Sequence, residues 1–509
     1  MAIATAPASP SRDSSGDTHA PQRIVRTGMA LLSAQSVTWA ASAASVLVVP
    51  RFLGADGYGL FASASTITGL AALFAAFGSG RVIVRDMARQ PRDTATIAYH
   101  AVMSRLVLWC LVALIGVPVT LYFVERPMAR LLIALLAVAA VLSTLGEVAL
   151  GGLQAHQTLG RAAIVRSIVG IATQSASIAL VVTGFGVLGM SAVAVAGSLA
   201  VAAATGWIFW RSYGAPVQWE LRRSLALLRK GVPLLGVELG VMVYTSVGTL
   251  VLAAAFGAVA VGPYALAWRL ISIPTFVLGV VANATFPALA AAYRDPERFR
   301  TLLGHSLRVL IAATVPMAVG LVVLAPQIVH LVGGEEFADA TPVVRIFACA
   351  LPLLTMNTVL ALGVLAIDRQ RVWALIMGSF AVANAAATLG AVYAANALWG
   401  SGAIGAALVP CVLELAMSAV AMTLLGRHCD QRAALRTIAR ALLASVPMAG
   451  VVWFVGSAAG PIVAVPVGAA VYAAGAVALR LVSRSDVATL RAALRRGAPA
   501  PAPEVPASL

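Results

Sequence analysis

Apolar runs about as long as a bilayer is thick recur from Gly28 to Leu481, separated only by short polar breaks. A helix needs roughly 20 residues to cross a ~30 Å hydrocarbon core, and helices satisfy their backbone hydrogen bonds internally, as a lipid surround demands. The pattern predicts an all-α polytopic membrane protein. Cutting the runs at Arg, Pro and Gly clusters gives fourteen spans, at about 28–50, 58–78, 97–123, 131–152, 162–183, 190–210, 231–256, 263–289, 307–330, 343–365, 374–393, 403–425, 441–457 and 462–481. Of the 509 residues 61% are hydrophobic and 11% charged, and the mean hydropathy is +0.93. Ordinary soluble domains are about half apolar and about a quarter charged. A soluble enzyme is excluded, and no extramembrane domain fits in what remains.

The charge of +16 comes from 35 basic against 19 acidic residues, and every basic residue but Lys230 is Arg. These residues fall beside the spans, so the excess reads as membrane orientation and implies no nucleic acid. An even number of spans places both termini on one side. With that side cytoplasmic, inner segments hold 28 of the 35 Lys and Arg residues, outer ones 4 and the spans 3. The inner clusters are Arg81, Arg85, Arg89 and Arg92; Arg211, Arg222, Arg223, Arg229 and Lys230; Arg294, Arg298, Arg300 and Arg308; and Arg427, Arg432, Arg436 and Arg440. Residues 1–27, rich in Ala, Pro, Ser and Thr, lack a secretory core and read as a disordered cytoplasmic tail. Cys110, Cys349 and Cys411 lie in spans and Cys429 in a basic inner loop, so no disulfide framework is expected.

An internal repeat divides the spans. Phe52 to Ala62 (FLGADGYGLFA) and Phe256 to Ala267 (FGAVAVGPYALA) share Phe, Gly, Ala, a short turn, Gly and Tyr, at an offset of about 205 residues. Six spans separate the copies, so the repeats are parallel, predicting two six-helix lobes related by an axis along the membrane normal. The expected layout is 28–210 for the first lobe, 231–425 for the second, 441–481 for two further helices and 482–509 for a cytoplasmic tail.

The stretch FLGADGYGLFASASTITGLAALFAAFGSGRVIVRDMAR resembles the polysaccharide transport branch (O-antigen, Wzx-type) of the MOP flippase superfamily. The shared phrase is Leu53, Gly54, Tyr58 and Gly59, followed by Gly78, Gly80, Arg81, Arg85 and Ala88. The resemblance implies flipping of an undecaprenyl-pyrophosphate-linked oligosaccharide from the inner to the outer leaflet by alternating access. Expected partners are that glycan lipid, membrane lipid, and glycan polymerase or ligase machinery. It leaves three alternatives: a peptidoglycan-precursor flippase, a cation-coupled multidrug exporter, and a membrane glycosyltransferase or polymerase. Span 1 has no acid, against the exporter, and the short outer connections leave a polymerase no acceptor loop.

Charges inside spans are functional candidates because each costs several kcal/mol unless paired or wetted. Arg105, Arg166 and Arg269 are candidates for a cationic cavity wall, since guanidinium forks meet phosphate oxygens bidentately, with Arg81 and Arg85 at its inner mouth. The competing reading pairs Arg105 and Arg269 with Glu147 or Glu238. Glu238 and Glu414 are candidates for coupling to a proton or sodium ion, or else for pairing with an Arg. Gln35, Asn283, Asn357 and Asn384 read as interhelical hydrogen-bonding groups. No Walker A loop, catalytic constellation or metal-ligand spacing is present, so neither a cofactor nor a metal is expected.

Overall fold

The structure, a computed structural model, describes residues 20–158, 160–214, 218–479 and 481. The tails 1–19 and 482–509 lie outside the described residues, as do the side chains of Gln35 and Asn283. The described chain is helical, in the order α1 (Ala20–Ala76), α2 (Ser79–Arg89), α3 (Thr94–Phe123), α4 (Pro127–Ala155), α5 (Gly160–Val182), α6 (Gly186–Tyr213) and α7 (Leu221–Phe256). There follow α8 (Ala258–Ala291), α9 (Pro296–Gly333), α10 (Ala340–Ala366), α11 (Gln370–Trp399), α12 (Gly402–Leu425), α13 (Gln431–Ala459) and α14 (Pro461–Ala478). Twelve described segments are long and apolar enough to cross a membrane.

Each of the fourteen expected spans falls on a helix, the first two on the limbs of α1, which bends at Gly54. The helices run beyond the predicted spans where the sequence is Arg-rich: α7 starts at Leu221 and α9 at Pro296, and α1 already begins at Ala20, within the stretch expected to be a tail. Arg is a good helix former, so a cut made at charge marks where the apolar surface ends and not where the helix does. Side-chain contacts bring Asp86 of α2 to Lys230 at the start of α7, and Glu336 after α9 to Ala55 at the Gly54 bend.

The repeat is visible in the packing. In the first half α4 and α5 both pack on α6, and α3 packs on α4. In the second half α10 and α11 pack on α12, and α9 on α10. Helices α13 and α14 pack on each other and on α9, around Leu324, Met448, Val452 and Ala464.

The backbone corrects the register of the repeat. Gly54 (φ 69°, ψ 175°) and Gly257 (φ 76°, ψ −171°) adopt one conformation, open to glycine but strained for other residues, and lie 203 positions apart. A second pair, Gly59 and Gly262, keeps that spacing and crosses reciprocally: a Cβ on Gly59 would overlap the Ala258 carbonyl oxygen, and one on Gly262 the Ala55 carbonyl oxygen. Tyr58 and Tyr264, aligned by residue identity in the sequence, are therefore not equivalent. Tyr58 meets the ring of Phe337 edge-on at 6.1 Å, whereas Tyr264 packs on Phe347 at 5.5 Å.

Candidate functional site

The two halves meet where α1 crosses α8 and again where the Phe77–Gly78 turn meets Gly231 of α7, and a polar contact lies beside each. At the end near Gly54, the Ala55 amide donates to Glu336 Oε2 at 3.2 Å, from a single turn of 3₁₀ helix (Glu335–Phe337) after α9. At the Arg-rich end, Lys230 Nζ donates to Asp86 Oδ2 at 2.7 Å, and Arg85 Nε and Nη2 donate to Asp86 Oδ1 at 3.0 and 2.9 Å. Helix α2 carries Asp86 because its apolar face, with Val82, Ile83 and Met87 buried, turns the carboxylate inward, while Arg81, Arg85 and Arg89 stay exposed. Burial opposes ionisation of Asp86, but the hydrogen bonds and charges of Lys230 and Arg85 outweigh it and hold the carboxyl below the usual carboxylate range. Asp86 is not among the sequence candidates, although a signal exists: a lone acid within an Arg-rich helix and a lone Lys elsewhere.

The intramembrane charges separate into three places. In the first half, Arg105 on α3 is buried, with 2% of its side chain exposed. Its Nη1 donates to the Thr144 carbonyl oxygen and stands 3.6 Å from Glu147 Oε2, while its buried Nε has no hydrogen-bond partner. Trp109 Nε1 donates to Thr144 Oγ1 at 2.9 Å, so α3 is pinned to the same turn of α4 twice. Glu238 on α7 is also within electrostatic range of Arg105. Glu147, by contrast, is 62% exposed, and it shares a cavity of about 510 Å³ with the exposed Arg166.

Arg269 on α8 stands apart from these. It is exposed, lies within electrostatic range of Tyr58 across the α1–α8 crossing, and has no ion-pair partner within 4 Å among the described residues.

In the second half Glu414 on α12 is 2% exposed, and the pairing with an Arg that its position allowed does not occur among the described residues. Its ligands are neutral: Tyr244 OH donates to Oε1 at 2.5 Å and Asn357 Nδ2 to Oε2 at 2.5 Å. Ser418 Oγ donates to Asn357 Oδ1 at 2.8 Å, and Asn384 Nδ2 to the Tyr244 carbonyl oxygen at 2.9 Å. Asn357 and Asn384 thus bridge helices, as their positions in apolar spans suggest. That Asn357 serves the carboxylate is not evident in the sequence. Nothing in the spacing links Tyr244, Asn357 and Glu414, which only the packing of α7, α10 and α12 assembles.

Cys429, placed by the sequence in a basic inner loop, is buried, and burial reinforced by Asp430 pushes its thiol up to about 11 despite the nearby Arg300. It is an inert thiol at neutral pH. Among the described residues no group of His, Cys, Asp and Glu has the arrangement of a metal site.

A family profile described as "Polysaccharide biosynthesis protein" matches residues 48–342. The chain is 33% identical over 111 residues to the lipopolysaccharide biosynthesis protein WzxC of Escherichia coli (strain K12), covering 22% of each chain. It is 30% identical over 144 residues to the succinoglycan biosynthesis transport protein ExoT of Rhizobium meliloti (strain 1021), covering 28% of this chain and 29% of that one. These matches span less than a third of the curated relatives' length. Among solved structures, the lipid II flippase MurJ in an inward closed conformation superposes with a TM-score of 0.72 at 13% identity, over 90% of this chain and 99% of that one. An inward-facing multidrug resistance MATE family transporter of the MOP superfamily gives 0.60 at 17% identity, over 80% and 95%. At such identities the likeness speaks for the fold.

Proposed function

Because this chain belongs to the polysaccharide biosynthesis protein family, we propose that it is a flippase and not an enzyme. On this reading it moves a polyprenyl-pyrophosphate-linked oligosaccharide from the inner to the outer leaflet of a bacterial cytoplasmic membrane, for assembly of a cell-surface polysaccharide. The observation that carries the reading is a pair of glycine-lined contacts between the halves, Gly59 with Gly262 and Gly78 with Gly231, each with its own polar latch. Two helical halves that touch backbone to backbone at two such places part at one when its latch opens while the other holds, which is alternating access. Both termini and the Arg clusters face the cytoplasm, by the distribution of Arg along the chain.

The head group to be moved is a pyrophosphate. Arg269 and Arg166, cations without fixed carboxylate partners, bind it in this scheme, and Arg81 and Arg85 gather it at the Arg-rich mouth. Arg105, being buried, acts through Glu147 as a positioning residue. Glu414 supplies the coupling: a buried carboxylate without a cation is stable only as the acid or with a bound cation, so the second half takes up a proton or sodium ion and releases it as the latches exchange. Glu238, half-buried on α7 and in range of Arg105, relates that titration to the first half.

The test is a leaflet-accessibility assay on the reconstituted chain, offering a pyrophosphate-linked glycan lipid, lipid II and a cationic drug in turn. Flipping of the first, lost in Arg269→Ala at normal protein levels, is the expected result. Transport of the drug alone would overturn the reading, and preference for lipid II would move it to a peptidoglycan precursor. Orientation needs introduced thiols, because Cys429 is inert: a Cys at Glu335 should react with an impermeant reagent in whole cells, and one at Arg432 should not.

A further inference from the structure

The cavity between α4, α5 and α6 has a composition that the pyrophosphate alone does not explain. Helices α4 and α5 both pack on α6 but hardly touch each other, leaving a cleft with α6 as its floor. Small residues set its width. A Cβ on Gly146 would press on Ala202, and one on Gly197 would overlap the Thr173 side chain, so α6 lies as close to both neighbours as backbones allow. Into this cleft of about 510 Å³, within the usual ~300–1,000 Å³ of small-molecule sites, project the hydroxyls of Ser143, Ser198 and Thr173, the carboxylate of Glu147 and the guanidinium of Arg166. Ser143 Oγ and Ser198 Oγ are 3.0 Å apart and close the α4–α6 side.

We propose that this cleft holds the pyrophosphate-proximal sugar of the transported lipid, with Glu147 and the two serines reading its hydroxyls and Arg166 taking the adjoining phosphate. The inference rests on the flippase reading and deepens it by placing substrate discrimination here. The charges argue for it. Arg105 stands behind Glu147, 3.6 Å from its Oε2, and offsets its charge, and Arg166 is left as a net positive charge in the cleft. A purely apolar tail would offer Glu147, Arg166 and the hydroxyls no partner, and a lone cation would offer Arg166 none. A ring bearing several hydroxyls next to an anion satisfies each group, and carboxylate acceptors make strong, directional bonds to hydroxyls. A site built to hydrogen-bond hydroxyls discriminates, because a ligand that covers these polar groups without pairing them strips their water and gives nothing back.

The test measures binding to the full-length chain in detergent, comparing farnesyl pyrophosphate with farnesyl-pyrophosphoryl hexose and N-acetylhexosamine. Wild type should bind at least one glycosylated form about tenfold or more tightly than the bare pyrophosphate. That ratio should fall to about one in Glu147→Gln and in Ser143→Ala/Ser198→Ala, with the bare pyrophosphate bound as before, whereas Arg166→Ala should weaken both ligands. The paired serine variant keeps the outcome readable if Glu147→Gln fails to fold. A wild-type ratio near one, or a ratio unchanged in both variants, overturns the sugar subsite and leaves the flippase intact. No binding of any of the three by wild type overturns both.

Discussion

The helices α4, α5 and α6 of the first half and α10, α11 and α12 of the second occupy equivalent places in the repeat, yet they treat polar groups in opposite ways. Between α4, α5 and α6 there is an open cleft, with Glu147 and Arg166 accessible and one buried cation, Arg105, behind them. Between α10, α11 and α12 the polar groups Asn357, Asn384 and Glu414 are buried. There Tyr244, reaching in from α7, and Asn357 donate to Glu414. Among the described residues the buried apolar clusters around Phe299 and Phe347 extend from the second half to α13, α14 and Ala55, and those of the first half lie around Phe209 and Leu132. One architecture has thus been used twice, once as a site open to a ligand and once as a sealed pocket around a single titratable group. The division suits a transporter whose first half handles an anionic cargo and whose second half handles the coupling cation.

The comparison breaks most severely at the crossing the halves share. Gly59→Val and Gly262→Val each drive a side chain into the other half's backbone, where nothing flexible can yield. Each should cost about 3 kcal/mol or more, the upper range for overpacking, and reduce the monodisperse yield in size-exclusion chromatography. The two losses should be similar in size, since the contacts are reciprocal. Tolerance of one substitution with failure of the other would show that the crossing is not the symmetric contact described.

The buried charges sharpen the contrast. Arg105→Ala removes a buried side chain, its bond to Thr144 and the support of Glu147, and should destabilise by about 2–4 kcal/mol with transport lost alongside. Arg105→Lys should be intermediate, because an ammonium supplies charge without the guanidinium fork. Glu414→Gln keeps volume but leaves one acceptor where Tyr244 and Asn357 both donate, so Tyr244 must turn to accept; its stability cost should be about 1–2 kcal/mol, while the pH or sodium dependence of flipping in liposomes flattens. Glu238→Gln separates the two roles: it should alter coupling only if the titration is shared between halves. Full-rate flipping without an imposed gradient, unchanged in both Gln variants, would make the second half's carboxylates structural.

Much of this architecture is legible in the amino-acid sequence. The fourteen spans follow from run length, because lipid enforces helices and leaves little alternative. The repeat is legible too, but its register is not. Matching Tyr58 to Tyr264 favours side-chain identity, whereas Gly54 with Gly257 and Gly59 with Gly262 are equivalent through backbone conformation and close approach, which residue type alone encodes weakly. The site divides the same way. An Arg or Glu in an apolar run announces itself, so Arg105, Arg166, Arg269, Glu147, Glu238 and Glu414 all stand out. Which of them is buried depends on helix rotation, and a rotation of one residue, about 100°, moves a side chain from cavity to core. Glu336 lies in a short turn after α9, where acids are ordinary, and Asp86, though a lone acid in an Arg-rich helix, gains its meaning only from Lys230 across the halves.

The latches carry a smaller difference between the halves' two ends. Asp86 has a lowered carboxyl pKa in the closed state, so its contribution is fully present above the ordinary carboxylate value and is lost only as pH falls through the lowered one. The Arg-rich end should therefore stay latched across about pH 5 to 8 and loosen only below about pH 4. Distances between spin labels on α2 and α7 would report it. Opening at neutral pH in wild type would show that some other group controls this end.

Salt distinguishes the two latches most finely. The Lys230–Asp86 pair joins a half-exposed ammonium to a carboxylate, and such pairs contribute under about 1 kcal/mol and are screened as the Debye length falls from ~10 Å at 0.1 M to ~3 Å at 1 M. The Glu336 latch is a hydrogen bond to a backbone N–H at the Gly54 bend, supported by Tyr58 against Phe337, and uses no opposite charge that salt could screen. Raising salt should thus shift the balance toward the state open at the Arg-rich end, by up to about fivefold in population, while leaving the other end's latch unchanged. Lys230→Met should show the shift at low salt and lose the salt dependence, and Glu336→Gln should leave that dependence intact. Labels placed across each end read the two latches separately. Equal salt responses at both ends, or a response surviving in Lys230→Met, would mean that the bulk Arg clusters and not this pair set the inward equilibrium.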